Sequence, residues 1–223
     1  MNFTEQSTSV IVGGHTGIGR ALADALRERP GRVLLASRRS GLDVTDPSTV
    51  ERYFEAIGTI DHLIFTAGSQ APGGQLLDMD LSTARAAFDT KFWGSLAVAK
   101  VGARYLRAGG SLTLTSGFLA RRAVPGTFVK TAMNAALEAV AKVLARELAP
   151  LRVNVVSPGL TDSEAYAGMA EDARLAMLQR AANNLPVGRV GRPQDLAQGY
   201  LLAIDNPFMT GAVIDIDGGA LIN

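Results

Sequence analysis

The chain contains no cysteine and only two histidines, His15 and His62, and this scarcity excludes several kinds of chemistry. Without cysteine there are no disulfide bonds and no thiolate nucleophile. Two histidines supply too few soft ligands for a zinc site. We therefore predict that the protein holds no metal.

Neither an excess of charge nor a long apolar run is present. Lysine and arginine number 22 against 21 aspartates and glutamates, which gives a formal net charge of +1. A nucleic-acid-binding protein usually concentrates a basic excess on one face, so nucleic acid is not an expected partner. No run approaches the ~18 apolar residues needed to cross a bilayer. We expect a cytoplasmic protein, not bound to membranes, whose partners are small molecules or further copies of itself.

Short apolar runs alternate with longer amphipathic stretches along the chain, and 223 residues are enough for one substantial core. The pattern predicts one α/β domain over residues 1–223, a Rossmann-type doubly wound parallel sheet with helices on both faces. The predicted strands are Val10–Val12, Val33–Ala36, Leu63–Phe65, Ser111–Thr115, Val153–Val156 and Val213–Ile216. The predicted helices are Gly17–Arg29, Pro47–Ile57, Thr83–Leu106, Thr127–Leu148, Glu171–Asn183 and Pro193–Ala203.

The segment from Gly13 to Gly19, Gly-Gly-His-Thr-Gly-Ile-Gly, lies between the first strand and the first helix. Glycines at these positions allow a tight turn and let the backbone approach a pyrophosphate at the positive end of the helix. The second strand ends in Ser37-Arg38-Arg39, where an NAD-binding protein would offer a carboxylate to the ribose. Arginine and serine suit a 2′-phosphate instead, so these two motifs predict NADP(H) as the cofactor.

The order of the motifs resembles the short-chain dehydrogenase/reductase family over nearly the whole chain. Besides the glycine loop, Leu42-Asp43-Val44 resembles the family's adenine-side loop. The strand end Thr66-Ala67-Gly68 resembles its Asn-Asn-Ala-Gly segment, and residues 152–159 with Thr161 resemble its nicotinamide-side segment. Together with the two motifs, the resemblance implies a set of cofactor-binding residues, which comprises Gly13, His15, Thr16, Gly17, Ile18, Gly19, Ser37, Arg38, Arg39, Asp43, Thr66, Ala67, Gly68, Lys130, Pro158, Gly159 and Thr161.

The resemblance also implies a catalytic centre, but with departures. Ser116 and Lys130 resemble the family's serine, which polarises the substrate carbonyl, and its lysine, which binds the nicotinamide ribose. The tyrosine expected four residues before Lys130 is replaced by Gly126, and the expected asparagine by Lys91. The separation between Ser116 and Lys130 is also a few residues shorter than usual. We take Ser116, Lys130 and Lys91 as the candidate catalytic residues of a divergent member.

The missing tyrosine matters because a general acid typically contributes ~10²–10⁴-fold to a rate. Three accounts of the chemistry are therefore open. A carbonyl could be reduced with a proton from Lys91, from Tyr166 or from a water held by Ser116. Hydride could instead add to an iminium carbon or a conjugated double bond, which needs no strong acid. In the third account, the protein binds NADP(H) without turnover and serves as a ligand-binding or regulatory module.

Two further expectations concern shape. The polar segment Leu160–Ala170 is either a lid over the pocket or a plain surface loop. The family resemblance implies a homo-oligomer, a dimer or tetramer, in which the helices at 83–106 and 127–148 pack across a twofold axis.

Overall fold

A computed structural model describes residues 3–68 and 71–223. Within that part of the chain, six strands form one parallel sheet in the order β2-β1-β3-β4-β5-β6. The strands are β1 (Thr8–Val12), β2 (Arg32–Ala36), β3 (Ile60–Phe65), β4 (Leu106–Thr115), β5 (Arg152–Pro158) and β6 (Val213–Ile216). The helices are α1 (Gly17–Arg27), α2 (Pro47–Ile57), α3 (Leu81–Phe88), α4 (Gly94–Gly102), α5 (Phe128–Glu147), α6 (Glu171–Asn184) and α7 (Pro193–Asp205).

Helices cover both faces of the sheet, as the predicted fold class requires. On one face Phe54 of α2, Val98 of α4 and Leu137 of α5 pack against buried strand residues. On the other face, Leu22 of α1 and Tyr200 of α7 belong to a separate apolar cluster. The continuous apolar runs of the strands therefore reflect burial on two sides, and the Rossmann-type prediction is confirmed.

The helix predicted over 83–106 differs most from the structure. The carboxylate of Asp80 accepts hydrogen bonds from the amides of Ser82 and Thr83, so α3 begins earlier, at Leu81. A π-helical turn at Asp89–Trp93 then joins α3 to α4, which ends at Gly102. The predicted C-terminal end is wrong because Leu106 already belongs to β4, where it pairs with Ile60 ahead of a break in register. The apolar spacing continues across this junction and conceals the change of element.

No helix among the described residues is both long and apolar enough to span a membrane.

Candidate functional site

A cavity of about 610 Å³ opens at the carboxyl ends of β1, β2 and β3. This edge is where ligands bind in open parallel sheets, at the point where the strand order reverses. The side chains and backbone around it include Gly13, Ser37, Arg38, Asp43, Ala67, Gly68 and Thr90. Six of these seven residues belong to the cofactor-binding set predicted from the sequence, and Thr90 precedes the candidate Lys91.

The glycine loop lies directly against the end of β3. A Cβ atom on Gly13, whose φ is +87°, would come within 2.6 Å of the Ala67 nitrogen. A Cβ atom on Gly19 would come within 2.5 Å of the Thr66 hydroxyl, which itself donates to the Val12 carbonyl. Glycine is therefore required here for packing of the loop against the strand. Thr66 is committed to that packing, while Ala67 and Gly68 remain on the cavity wall.

Helix α1 begins at Gly17, and its first amide is bound by a residue far along the chain. Thr16, the residue before it, is extended and makes no side-chain cap. Instead, the Gly17 amide donates a 2.8 Å hydrogen bond to Oε2 of Glu164, which lies in a 3₁₀ turn at Glu164–Tyr166. A carboxylate at this position has the charge and the acceptor atoms of a phosphate group. The segment after β5 thus folds over the glycine loop, which supports the lid interpretation of residues 160–170.

Two other loop residues of the predicted cofactor-binding set, His15 and Ile18, are not among those that line the cavity. Ile18 packs against the apolar cluster of α1 and α7. The Nδ1 atom of His15 is buried and has no hydrogen-bond partner among the described residues. A buried nitrogen without a partner is a polar group still available to a ligand or a water molecule.

The turn after β2 presents the basic residues. Ser37 caps a 3₁₀ turn at Arg38–Ser40, and its hydroxyl accepts a hydrogen bond from the Arg39 amide. Both arginines are exposed, but only Arg38 lines the cavity, together with Ser37. Asp43 lies opposite, where hydrogen bonds from Thr45 hold the pKa of its carboxyl below the usual value. Of the two arginines, Arg38 is the one that faces the cavity.

At the far end of the sheet, the segment after β5 is packed against β6. The Gly159 amide donates to the Ile216 carbonyl, and a Cβ atom on Gly159 would lie 2.6 Å from the Asp217 Cα. The Thr161 hydroxyl donates to the Gly159 carbonyl at 3.0 Å, and Thr161 is buried. Pro158, Gly159 and Thr161 therefore form a tightly packed segment against β6, and none of the three is among the residues that line the cavity.

The candidate catalytic lysines come together beside the cavity, where the π-helical turn meets β4 and α5. The ammonium of Lys91 donates two hydrogen bonds of 2.7 Å, to the Ser116 carbonyl oxygen and to Oδ1 of Asn134. Burial lowers the pKa of Lys91 to about 8, and the positive charge of Lys130 contributes to the decrease. Lys130 lies on α5 one turn before Asn134. The three candidates therefore share one site, and Lys91 lies at its centre.

The Ser116 hydroxyl points to a different partner. It donates to Oε1 of Glu138 at 2.9 Å, and both residues are buried. Glu138 also forms an ion pair with Arg121, whose guanidinium in turn binds Asp215. Ser116 thus offers its main-chain carbonyl to Lys91 and its side chain to a buried charge network.

Three residues of this site were not predicted from the sequence: Asn134, Glu138 and Glu164. The polar residues Asn134 and Glu138 are four positions apart on a helix whose neighbouring positions Met133 and Leu137 are buried. Polar residues at such positions signal buried partners, and this signal could have identified both. Glu164 carries no comparable signal because its contact joins residues 147 positions apart.

The fold and this cleft define a doubly wound α/β protein of the Rossmann type, and comparisons with known proteins agree. The family model described as Enoyl-(Acyl carrier protein) reductase matches residues 36–220. Carbonyl reductase family member 4 of Danio rerio is 31% identical over 95% of this chain and 96% of its own length. Short-chain dehydrogenase/reductase ATR9 of Stachybotrys chlorohalonatus is 30% identical over 96% of each chain.

Solved structures give the same result. A small-chain dehydrogenase in complex with NADPH superposes with a TM-score of 0.96 at 56% identity, covering 98% of this chain and 100% of that one. Aldohexose dehydrogenase of Thermoplasma acidophilum, at 24% identity and a TM-score of 0.87, shares the fold over 100% of this chain and 97% of its own. The chain belongs to the short-chain dehydrogenase/reductase family.

Proposed function

We propose that this protein is an NADPH-dependent reductase that acts on a small organic substrate with a carbonyl, an imine or iminium, or a conjugated C=C bond. We assign the proton donor for carbonyl reduction to Lys91. The observation that carries this proposal is the placement of the Lys91 ammonium, held by Ser116 and Asn134 beside the cavity.

Four observations support NADPH as the cofactor. The cavity offers Ser37 and Arg38 where a carboxylate would repel a 2′-phosphate. The Glu164 carboxylate on the Gly17 amide is a stand-in for a phosphate oxygen at the start of α1. His15 keeps a buried nitrogen without a partner among the described residues. Finally, a structure that is 56% identical to this chain contains NADPH. When bound, NADPH supplies the hydride.

The lysine is well suited to supply the proton. An ammonium has three N–H groups, and two of those on Lys91 are used by Ser116 and Asn134, which leaves one for a substrate oxygen. A pKa of about 8 is near the value at which an acid is both protonated and able to release its proton at neutral pH. Lys130 adds a second positive charge that stabilises negative charge developing on the substrate. Lys91 then gives its proton to that oxygen and becomes a neutral amine.

The other two proton sources have less support. Burial raises the pKa of Tyr166 above its ordinary value, so its hydroxyl is a weaker acid than the Lys91 ammonium. The Ser116 hydroxyl donates to Glu138, which leaves it poorly placed to orient a water molecule in the cleft.

A turnover assay tests the proposal. NADPH oxidation is followed with a panel of carbonyl, iminium and enone substrates for the wild type, for Lys91→Met and for the control Lys100→Met on the exposed end of α4. We expect Lys91→Met to reduce carbonyl turnover by about 10²–10⁴-fold. Lys100→Met should behave as the wild type. If no substrate turns over while NADPH still raises the melting temperature, the catalytically silent binding module is the correct function.

We also propose a homo-oligomer. An apolar groove between α3 and α5 is lined by Leu81, Phe88, Trp93, Phe128 and Ala132. Leu81 and Trp93 expose 57% and 59% of their surface, and Val143 further along α5 exposes 52%. Exposed apolar side chains around a groove favour a protein–protein contact, and Trp93, Phe128 and Val143 lie within the two segments expected at a twofold interface.

A further inference from the structure

The Lys91 ammonium is withdrawn from water without a carboxylate to balance its charge. Both of its hydrogen-bond acceptors are neutral oxygens, one from the Ser116 main chain and one from the Asn134 amide. None of the ion pairs found among the described residues includes Lys91. A neutral acceptor orients an N–H group but compensates the charge far less than a carboxylate does.

The charged groups around Lys91 are few, and those of negative sign are engaged elsewhere. Lys130 on α5 acts on it directly, Glu138 lies one turn beyond Asn134 on the same helix, and Arg121 follows the end of β4. The Glu138 carboxylate is bound by the Ser116 hydroxyl and by Arg121. Asp89, on the same π-helical turn as Lys91, lines the outer apolar groove. The positive charge of Lys130 is therefore the main electrostatic influence on Lys91 besides its burial.

Asn134 occupies a buried position between Lys91 and the end of β4. It is 5% exposed, on the second turn of α5, and its carbonyl oxygen faces Lys91 because a lysine can only donate. Its amide nitrogen faces the end of β4, where a Cβ atom on Gly117 would lie 3.0 Å away. The absence of a side chain at Gly117 leaves the space that this amide occupies.

Resting on the proposed function, we infer that Asn134 is a positioning residue that directs the Lys91 ammonium at the substrate while leaving its charge unneutralised. An aspartate in its place would make the same contact but would form an ion pair. An apolar residue of the same size would also leave the charge unneutralised, but it would give the ammonium no hydrogen-bond acceptor to orient it. Of these three kinds of residue, only asparagine both orients the ammonium and leaves its charge unneutralised.

The sequence supports a paired role for Asn134 and Lys130. The two residues are four positions apart within α5, which is the separation that the family's tyrosine and lysine have. Gly126, four positions before Lys130, lies outside the helix with a φ of +79°. Taking Lys130 and Asn134 as the pair also lengthens the separation from Ser116 by four residues and removes the shortening seen in the sequence. In this frame Lys130 takes the place of the family's tyrosine and Asn134 the place of its lysine, which replaces the assignment made through Gly126. The ammonium of Lys91 then reaches Asn134 from a neighbouring element.

The test compares Asn134→Asp and Asn134→Leu with Asn183→Asp, which makes the same charge change on the exposed side of α6. The pKa of Lys91 is measured by NMR of its ¹⁵N-labelled side chain, and the pH profile of kcat/KM and the NADPH Kd are measured alongside. For Asn134→Asp we expect the Lys91 pKa and the alkaline limb of the profile to rise together by about 1 to 3 pH units. For Asn134→Leu we expect a lower kcat and an unchanged NADPH Kd. Asn183→Asp should change none of these values.

A folded Asn134→Asp protein with an unchanged Lys91 pKa would overturn the inference. If that variant fails to fold, Gly117→Ala provides a second test, because its methyl group would press on the Asn134 amide from 3.0 Å. Gly117→Ala must then lower kcat without changing the NADPH Kd. If the wild type turns over no substrate, the NMR measurement still decides whether Asn134 governs the Lys91 pKa, and the failure belongs to the proposed function alone.

Discussion

The amide of Gly17 donates a hydrogen bond to the carboxylate of Glu164, which lies 147 residues later in the chain and 2.8 Å away in space. The carboxylate thus occupies an amide at the start of α1, where the pyrophosphate of a nicotinamide dinucleotide would be expected to bind. Two anions cannot share one N–H group without repulsion. Cofactor binding would therefore require Glu164 to move away.

Replacement of Glu164 by glutamine should consequently strengthen NADPH binding. Glutamine can keep the contact but carries no charge to repel a phosphate. Because the contact is exposed, we expect a decrease in Kd of about two- to fivefold, the range given by 0.3–1 kcal/mol for a charge at a helix end. Titration calorimetry measures it, with Glu171→Gln at the exposed start of α6 as the charge-matched control. A weaker Kd in Glu164→Gln would mean that Glu164 assists the cofactor.

The proposed acid makes a prediction about pH. Lys91 can donate a proton only while it is charged, so kcat/KM for a carbonyl substrate should decrease as the pH rises through about 8. Below that value, the Lys91 contribution should be constant. A profile of kcat/KM between neutral and alkaline pH measures this limb. A limb that persists unchanged in Lys91→Met would assign the titration to another group.

A mutation can separate the role of the Ser116 main-chain carbonyl from that of its hydroxyl. Ser116→Ala keeps the main-chain carbonyl that accepts from Lys91, so we expect a far smaller loss of activity than in Lys91→Met. Its main effect should be a loss of stability of about 1–3 kcal/mol, because the buried Glu138 carboxylate loses a hydrogen bond. Denaturant unfolding and the turnover assay measure the two effects. A loss of activity as large as that of Lys91→Met would show that the hydroxyl itself takes part in the reaction.

The proposed interface predicts a change of oligomeric state. Trp93→Asp places a charge in the apolar groove beside Phe88 and Phe128, and we expect it to convert the oligomer to monomers. Light scattering at micromolar concentration measures the mass. Phe208→Asp, at a residue that is 98% exposed outside this groove, is the control and should leave the mass unchanged. A monomeric wild type would contradict the proposal.

Local sequence signals were enough to predict the fold and the cofactor cleft. Glycines at Gly13 and Gly19 and the basic turn at Arg38 occur at the ends of apolar strands, and the parallel order of the sheet brings those ends together. The start of α2 was predicted accurately, at the cap formed by Asp46 and Pro47, but the start of α3 was not, although Asp80 caps it. The predicted boundaries also failed at α4, where apolar spacing continued through Gly102 into β4.

The contacts within the site depend on tertiary packing and were less accessible. Lys91 could be selected from its motif, but its partner Asn134 is on a different helix and its other partner is a main-chain atom. The orientation of the Ser116 side chain could not be predicted from the sequence either. A strand-end serine can face either a cleft or a helix, and here the buried carboxylate of Glu138 determines the choice.

The most direct measurement is a pair of calorimetric titrations of the wild type with NADPH and NADH, repeated for Arg38→Ala and for its exposed neighbour Arg39→Ala. A guanidinium–phosphate contact contributes about 1.5–3 kcal/mol, so the wild type should prefer NADPH by about tenfold or more. Arg38→Ala should remove most of that preference and leave the Kd for NADH unchanged, while Arg39→Ala should have the smaller effect. If the wild type binds neither cofactor, or if Arg38→Ala weakens both equally, the account is contradicted.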